Sequence, residues 1–472
     1  MKSSEKKRIK LDVNNMFSEN VGSEHGLKAS VLEDYRKKTA DIHREILDAK
    51  QEGKMGFMDL PYQNPEIIEK IKDFATSKKG KIENFVVLGI GGSALGSIAL
   101  QTALKDPYHN LRQDVRGQTP RLFVPDNVDP ERFASLLDEL DLEKTMFNVI
   151  SKSGGTAETM SQFLIARQAV ADSLGSDQLS EHFVATTSKD SGYLIEIADR
   201  EDLTTFTIPE NVGGRFSVLT PVGLLFAAFA DIDIEELLAG AEFMDNICST
   251  PDLRKNPAYL NALLEYLAYK DGKVMSVMMP YAHRLKDVAD WYRQLWAESL
   301  GKEVDREGNT VNVGPTPIKA LGATDQHSQV QLYVEGPYDK VFTFLEVENF
   351  EREVKIPGSY PDIEGVSYLG GHSLNKLLKT EKKATELALT NRGRLNKTIV
   401  LPEVNEHTMG QLFYLLELQT AFIGELFNIN AFNQPGVELG KHYAYGVLGR
   451  KGYEEKKVEY NQGPQKNDDL IL

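Results

Sequence analysis

A single cysteine, Cys248, in a chain of 472 residues excludes an intrachain disulfide framework and any cysteine-rich metal site. Histidine is also sparse: the nine are scattered, with no H-x3-H pair and no H-E-x-x-H, so no zinc or iron centre is indicated. A G-x-S-x-G elbow is missing, which removes the serine-hydrolase reading, and so is the Gly-Lys-Ser/Thr ending of a nucleotide P-loop. Cations are in deficit, 54 Lys and Arg against 70 Asp and Glu, and a net charge of −16 argues against a general nucleic-acid or anionic-membrane surface. The first residues, MKSSEKKRIKLDV, contain no apolar run of signal-peptide length. The most hydrophobic stretch, 412–429, carries Glu417, Gln419 and Glu425, so it reads as a buried core helix and not as a membrane span. A soluble, cytoplasmic globular protein is the expectation, long enough for two or more domains. An anionic substrate would need a locally positive pocket.

What the sequence does contain is organised around 145–166, TMFNVISKSGGTAETMSQFLIA. An apolar run stops at Ser151-Lys152-Ser153-Gly154-Gly155-Thr156 and a helical pattern begins, which predicts a buried strand, a glycine turn and a helix start. Unpaired N–H groups, three hydroxyls and a lysine there make an anion site of the sugar-phosphate kind. An ordinary N-cap with a solvated Lys152 is the plainer alternative. A second unit of the same type runs from Phe85 through Gly89-Ile90-Gly91-Gly92-Ser93 into 94–104. It fits G-x-G-x-x-A, yet no acidic residue follows at the distance a dinucleotide fold requires.

Strands expected at 121–124, 182–186 and 204–208 alternate with helices at 130–140 and 193–198, which favours a parallel sheet flanked by helices. Helices at 233–247 and 257–269 then carry the chain to a second alternating region. It comprises strands at 274–279, 330–334, 341–347 and 398–402 with helices at 285–300 and 374–390. The expected organisation is α/β: a peripheral lead-in (1–44), a first domain (45–231), a helical connection (232–270), a second domain (271–450) and a polar, peripheral tail (451–472).

Along 285–300, Val288, Trp291 and Leu295 form a stripe whose next step is Glu298, with Gln294 one turn earlier. A carboxylate on a buried stripe must be paired or put to use; the plainer reading is a partly exposed Glu bound to an Arg or Lys. Arg215 follows two glycines and reads either as a fixed positive charge or as a salt-bridge partner. His327 stands in a loop, where a surface or capping role is the common one, and Lys441 follows a glycine-bearing turn.

In order, LGIGGSALG, ISKSGGTAET, NVGGRFS, QLWAESLGK, GATDQHSQVQL and NQPGVELGK resemble the glucose-6-phosphate isomerase family in its bacterial form, and the two strand-turn-helix units resemble its tandem sugar isomerase (SIS) domains. The resemblance implies phosphate binding by Ser151, Lys152, Ser153 and Thr156 with Ser93. It implies Glu298 as the base, His327 with Lys441 in ring opening, Arg215 beside the developing oxyanion, and Gln294 and Gln434 against the sugar. It further implies a homodimer in which His327 reaches the partner's site, and chemistry without metal or redox cofactor. Where animal members read S-K-T-x-T-T, this chain has Gly154-Gly155-Thr156 and one hydroxyl fewer. The competing class is a sugar-phosphate-sensing module that binds without converting; no basic recognition helix accompanies the motifs and Glu298 is present.

Overall fold

The computed structural model describes residues 8–472. Twelve strands lie among them: β1 (Lys10–Asp12), β2 (Asn84–Leu88), β3 (Arg121–Phe123), β4 (Thr145–Ile150), β5 (Phe183–Thr187), β6 (Thr204–Thr207), β7 (Met275–Pro280), β8 (Lys302–Val304), β9 (Thr310–Val313), β10 (Thr316–Lys319), β11 (Lys340–Val347) and β12 (Asn396–Leu401). One sheet has the order β3-β2-β4-β5-β6, parallel throughout. The other has the order β1-β12-β11-β7-β10, parallel apart from β1, and β8 and β9 form a separate antiparallel pair. The central strands β2 and β4 are buried at every residue, as parallel strands covered on both faces must be.

In the first sheet the chain passes from β2 to β3 on one side and then returns to β4 on the other. The strand order therefore reverses between β2 and β4, where a crevice opens beyond the carboxyl ends. Both glycine turns leave the sheet at that place. In the second sheet the reversal falls between β7 and β11, and β7 leads into the helix Lys286–Leu300.

The two sheets share one hydrophobic core. Phe85 and Val87 of β2 belong to the same buried cluster as Leu345 of β11 and Ile399 of β12, joined through the helices Ile234–Cys248, Pro257–Lys270 and Glu406–Leu426. The last of these is buried nearly all round, in line with the core-helix expectation. Among the described residues no helix is long and apolar enough to cross a membrane. Cys248 lies in this core, where burial pushes its thiol up to about 12.

Two expectations need correction. The segment expected as a strand at 330–334 is the helix Val330–Glu335; Tyr333 turns inward, its hydroxyl donating to Gln329 Oε1 at 2.6 Å across one helical turn. The edge of that sheet is instead β10, whose Pro317 masks a strand in the sequence but is tolerated because β10 pairs on one side only. The lead-in is not merely peripheral: β1 pairs antiparallel with β12, and Ile9, Met16 and Val21 are buried. The polar tail is peripheral as expected: the helix Glu454–Asn461 buries none of its residues and lies on the outer helix Glu438–Val447, with Gly446 against the backbone of Tyr453 and Lys457.

Helices Ile234–Cys248 and Glu406–Leu426 approach through two glycines. A Cβ at Gly410 would lie 1.9 Å from Leu237 O, and one at Gly240 would lie 2.0 Å from His407 O. Gly410→Ala is expected to force the pair apart and to lower stability by about 1–3 kcal/mol, read by urea denaturation; an unchanged midpoint would show that the contact yields freely.

Candidate active site

Ser151, Lys152, Ser153, Gly154, Gly155 and Thr156 link β4 to the helix Ala157–Leu174. Gly154 has φ +64°, and a Cβ there would lie 2.0 Å from Leu194 N, so the turn requires glycine on both counts. Thr156 occupies the N-cap position but makes no side-chain cap hydrogen bond; its hydroxyl pairs with Ser151 Oγ at 3.1 Å. Thr156 therefore does not cap this 18-residue helix in the ordinary way, and no side chain caps its first-turn amides. Ser151 Oγ accepts from Gly154 N at 3.0 Å and Ser153 Oγ from Gly155 N at 3.2 Å, which fixes the loop from within.

Lys152 is placed differently from a free phosphate ligand. Its ammonium donates to Glu210 O at 2.6 Å and Val212 O at 3.2 Å, and burial lowers its pKa. It ties the loop to the segment that leads into Gly213-Gly214-Arg215.

The first glycine turn stands beside this loop because β2 pairs with β4. Its 3-10 turn, Gly91–Ser93, presents Ser93 and meets two other segments. A Cβ at Gly92 would lie 2.2 Å from Gly214 C, and one at Gly91 would lie 2.8 Å from Gln294 Nε2. These glycines permit backbone contact between the first sheet's turn, the Arg215 turn and the helix Lys286–Leu300.

On that helix Val288, Trp291 and Leu295 are buried as the stripe requires. Glu298 is one-third exposed (33% of its side chain) and is held at two points, by Gln294 Nε2 at 3.1 Å and by Arg215 Nη1 at 3.4 Å. The partly exposed, paired geometry is the plainer of the two expected arrangements. Its partner is the arginine that follows the two glycines. Gln294 Oε1 is buried with no hydrogen-bond partner among the described residues.

Arg215 is the most enclosed charge in the cluster, its side chain 2% exposed. It donates from Nε to Ser299 Oγ at 2.7 Å, from Nη1 to Gln434 Oε1 at 3.0 Å, and from Nη2 to Ala431 O at 2.6 Å and Asn433 O at 3.3 Å. Burial lowers its pKa and Glu298 opposes that shift; a guanidinium stays charged regardless. Phe216 next to it packs its ring at a tilt against Phe57 and Phe432, with centroids 5.1 and 5.2 Å away, anchoring the arginine turn and the segment that bears Gln434.

Lys302, the first residue of β8 and two past the end of the helix, donates to Glu298 O at 2.6 Å and Ser299 O at 2.8 Å. Burial, with Arg215 adding to it, pushes its pKa down to about 8. Ser299 and Lys302 lay inside the motif around Glu298 without an assigned part; the buried arginine is what gives Ser299 one.

Two expected residues stand outside this hydrogen-bonded cluster. His327 ends a separate 3-10 turn, Thr324–His327, and is exposed. Lys441 lies on the helix Glu438–Val447, about half exposed, and pairs with Glu438 at 2.8 Å. Among the described residues no cluster of His, Cys, Asp and Glu could hold a metal ion.

Residues 66–465 match a sequence model of the phosphoglucose isomerase family. A glucose-6-phosphate isomerase of Carboxydothermus hydrogenoformans is 50% identical over 96% of this chain and 97% of its own. One of Thermus thermophilus is 42% identical over 84% and 89%. Among solved structures, a hypothetical protein of Thermus thermophilus superposes with a TM-score of 0.83 at 37% identity, covering 94% of this chain and all of that one. A glucose-6-phosphate isomerase of Chlamydia trachomatis shares the fold, with a TM-score of 0.79 at 23% identity and coverage of 95% and 96%.

Arg215→Lys keeps the charge but cannot donate along the directions of the guanidinium fork. It is expected to leave buried carbonyls unpaired and to cost about 2 kcal/mol or more of stability in chemical denaturation; wild-type stability would mean that an ammonium replaces the fork.

Proposed function

The chain belongs to the phosphoglucose isomerase family, and from that premise we propose that it interconverts glucose 6-phosphate and fructose 6-phosphate through an enediolate, with Glu298 carrying the proton. The observation that carries this reading is the carboxylate of Glu298, partly open to solvent yet fixed between Gln294 and a buried Arg215.

Aldose–ketose isomerisation moves one proton between C2 and C1. A single carboxylate suffices if it takes the proton from one carbon and returns it to the neighbour. As the proton leaves, negative charge grows on the oxygens of C1 and C2, and the fixed cation of Arg215 stabilises it without reorganising. Gln294, which fixes Glu298 by a hydrogen bond, and Gln434, held by Arg215, are assigned to the sugar's side of this cluster.

The phosphoryl group is assigned to the uncapped start of the helix Ala157–Leu174, with the hydroxyls of Ser151, Ser153, Thr156 and Ser93. Lys152 supplies positive potential from its tethered position. Binding at that end orients the sugar at the other. His327 and Lys441 then exchange protons between the ring oxygen and the C1 hydroxyl. The exposure of His327, which is not part of its own chain's hydrogen-bonded Arg215 cluster, supports a homodimer in which it completes the partner's site. A cytoplasmic location fits sugar-phosphate metabolism.

Incubated with fructose 6-phosphate in deuterium oxide and followed by proton NMR, the protein is expected to produce glucose 6-phosphate deuterated at C2. Glu298→Gln should lower kcat by about 10²–10⁴-fold while fructose 6-phosphate still binds; undiminished turnover removes Glu298 from this role.

The shared site has its own test. Co-expressed Glu298→Gln and His327→Asn subunits, each inactive alone, should regain part of the activity, because a hybrid dimer contains one site with both residues intact. No recovery in a verified hybrid places both residues in one chain's site.

A further inference from the structure

The loop 151–156 is gripped from outside by the C-terminal segment. Tyr445 donates its hydroxyl to Gly155 O at 3.2 Å, and it sits one turn after Lys441 on the same helix. Arg450, folded back by a hydrogen bond from its N–H to Tyr445 O at 2.9 Å, lays its guanidinium over three rings: Tyr445 at 4.3 Å, Tyr453 at 5.3 Å and Tyr193 at 5.5 Å. It also donates to Tyr193 Oη at 3.4 Å. Tyr193 in turn supports the loop, its N–H donating to Ser153 O at 3.1 Å, while a Cβ at Gly155 would stand 3.6 Å from its ring. Behind it Gly192 allows no side chain, since a Cβ there would lie 2.6 Å from Ser153 O. The backbone of 153–155 is thus held between Gly192–Leu194 on one side and Tyr445 with Arg450 on the other.

We propose that Tyr445 and Arg450 are positioning residues that latch the Lys441-bearing helix to the anion-binding loop, so that occupation of the loop and placement of that helix are one event. The proposal rests on the assignment of 151–156 to the phosphoryl group. Each contact in the latch is modest: a guanidinium over rings that are exposed (Tyr193) or half-buried (Tyr445, Tyr453) contributes little singly. All of them join the same two segments, so they add to one equilibrium, between a C-terminal segment docked on the loop and one detached from it. A ligand that orders the loop favours the docked state by its differential affinity and by nothing else. The helix that docks brings Lys441, which ties binding at the phosphoryl end to chemistry at the ring end.

The test is hydrogen exchange of the full chain with and without inorganic phosphate, alongside kinetics of Arg450→Met, Tyr445→Phe and Arg450→Lys. In the wild type, phosphate should protect both 151–158 and 438–447. In Arg450→Met the protection of 438–447 should disappear and KM for fructose 6-phosphate should rise about tenfold, as for a contact worth ~1.4 kcal/mol. Tyr445→Phe should act in the same direction, and Arg450→Lys should rescue only in part because an ammonium lacks the planar face. Phosphate that protects neither segment overturns the anion-loop assignment itself. Protection of the loop alone in the wild type, or of both segments in a folded Arg450→Met, overturns the latch. Should Arg450→Met not fold, the Tyr445→Phe exchange pattern decides by the same criterion.

Discussion

A buried guanidinium holds this site together. Arg215 is almost wholly removed from water, and a charge in that position is tolerable only when its donors are satisfied and an opposite charge is near. Its donors reach Ser299 and Glu298 on one helix, and the Gln434 side chain with the carbonyls of Ala431 and Asn433 on a distant stretch. Three stretches far apart in sequence therefore cannot move independently. A planar fork with fixed directions imposes this constraint, which a flexible ammonium would not.

Close backbone approach is the second constraint, and it depends on the first. Gly92 against Gly214 brings the turn after β2 to the arginine turn, and Gly91 brings it to Gln294. Because β2 also neighbours β4, that turn is the hinge point between the hydroxyl loop and the carboxylate. A side chain at Gly92 would separate the two halves of the site. The switch point of a parallel sheet supplies a crevice, but it becomes a specific site only where small residues let a second unit come into contact with it.

Much of this was legible in the sequence because each signal is local. The two apolar runs broken by glycine, and the stripe of Val288, Trp291 and Leu295 leading to Glu298, follow from periodicity. Six ordered motifs identified the family. Features that depend on distant partners were not legible. Pro317 hid β10, since only its place at a sheet edge makes the proline acceptable. VQLYV alternates like a strand, yet it closes into a helix because Tyr333 finds Gln329 one turn back and the edge is already taken. The short strand β1 needs β12 to exist at all. The tether of Lys152 to Glu210 and Val212, and the docking of Tyr445 and Arg450, lie between segments that no sequence spacing connects.

The placement of Lys152 also bears on how an acidic protein handles an anionic substrate. With a net charge of −16, binding must rely on local potential. Yet the lysine nearest the hydroxyl loop spends its donors on backbone carbonyls. On the reading proposed here, the phosphoryl group is contacted by neutral donors, amides and hydroxyls, in a loop whose shape is set by Gly154, and Lys152 acts on it only through its potential. The enclosed cations, Arg215 and Lys302, stand instead at Glu298. This separation has a catalytic logic. The phosphoryl charge is the same in ground and transition states, so strong cations there would tighten both equally and would not speed the reaction. Charge that appears only as the proton leaves C2 is the charge worth meeting with a buried guanidinium, in surroundings where water screens it least.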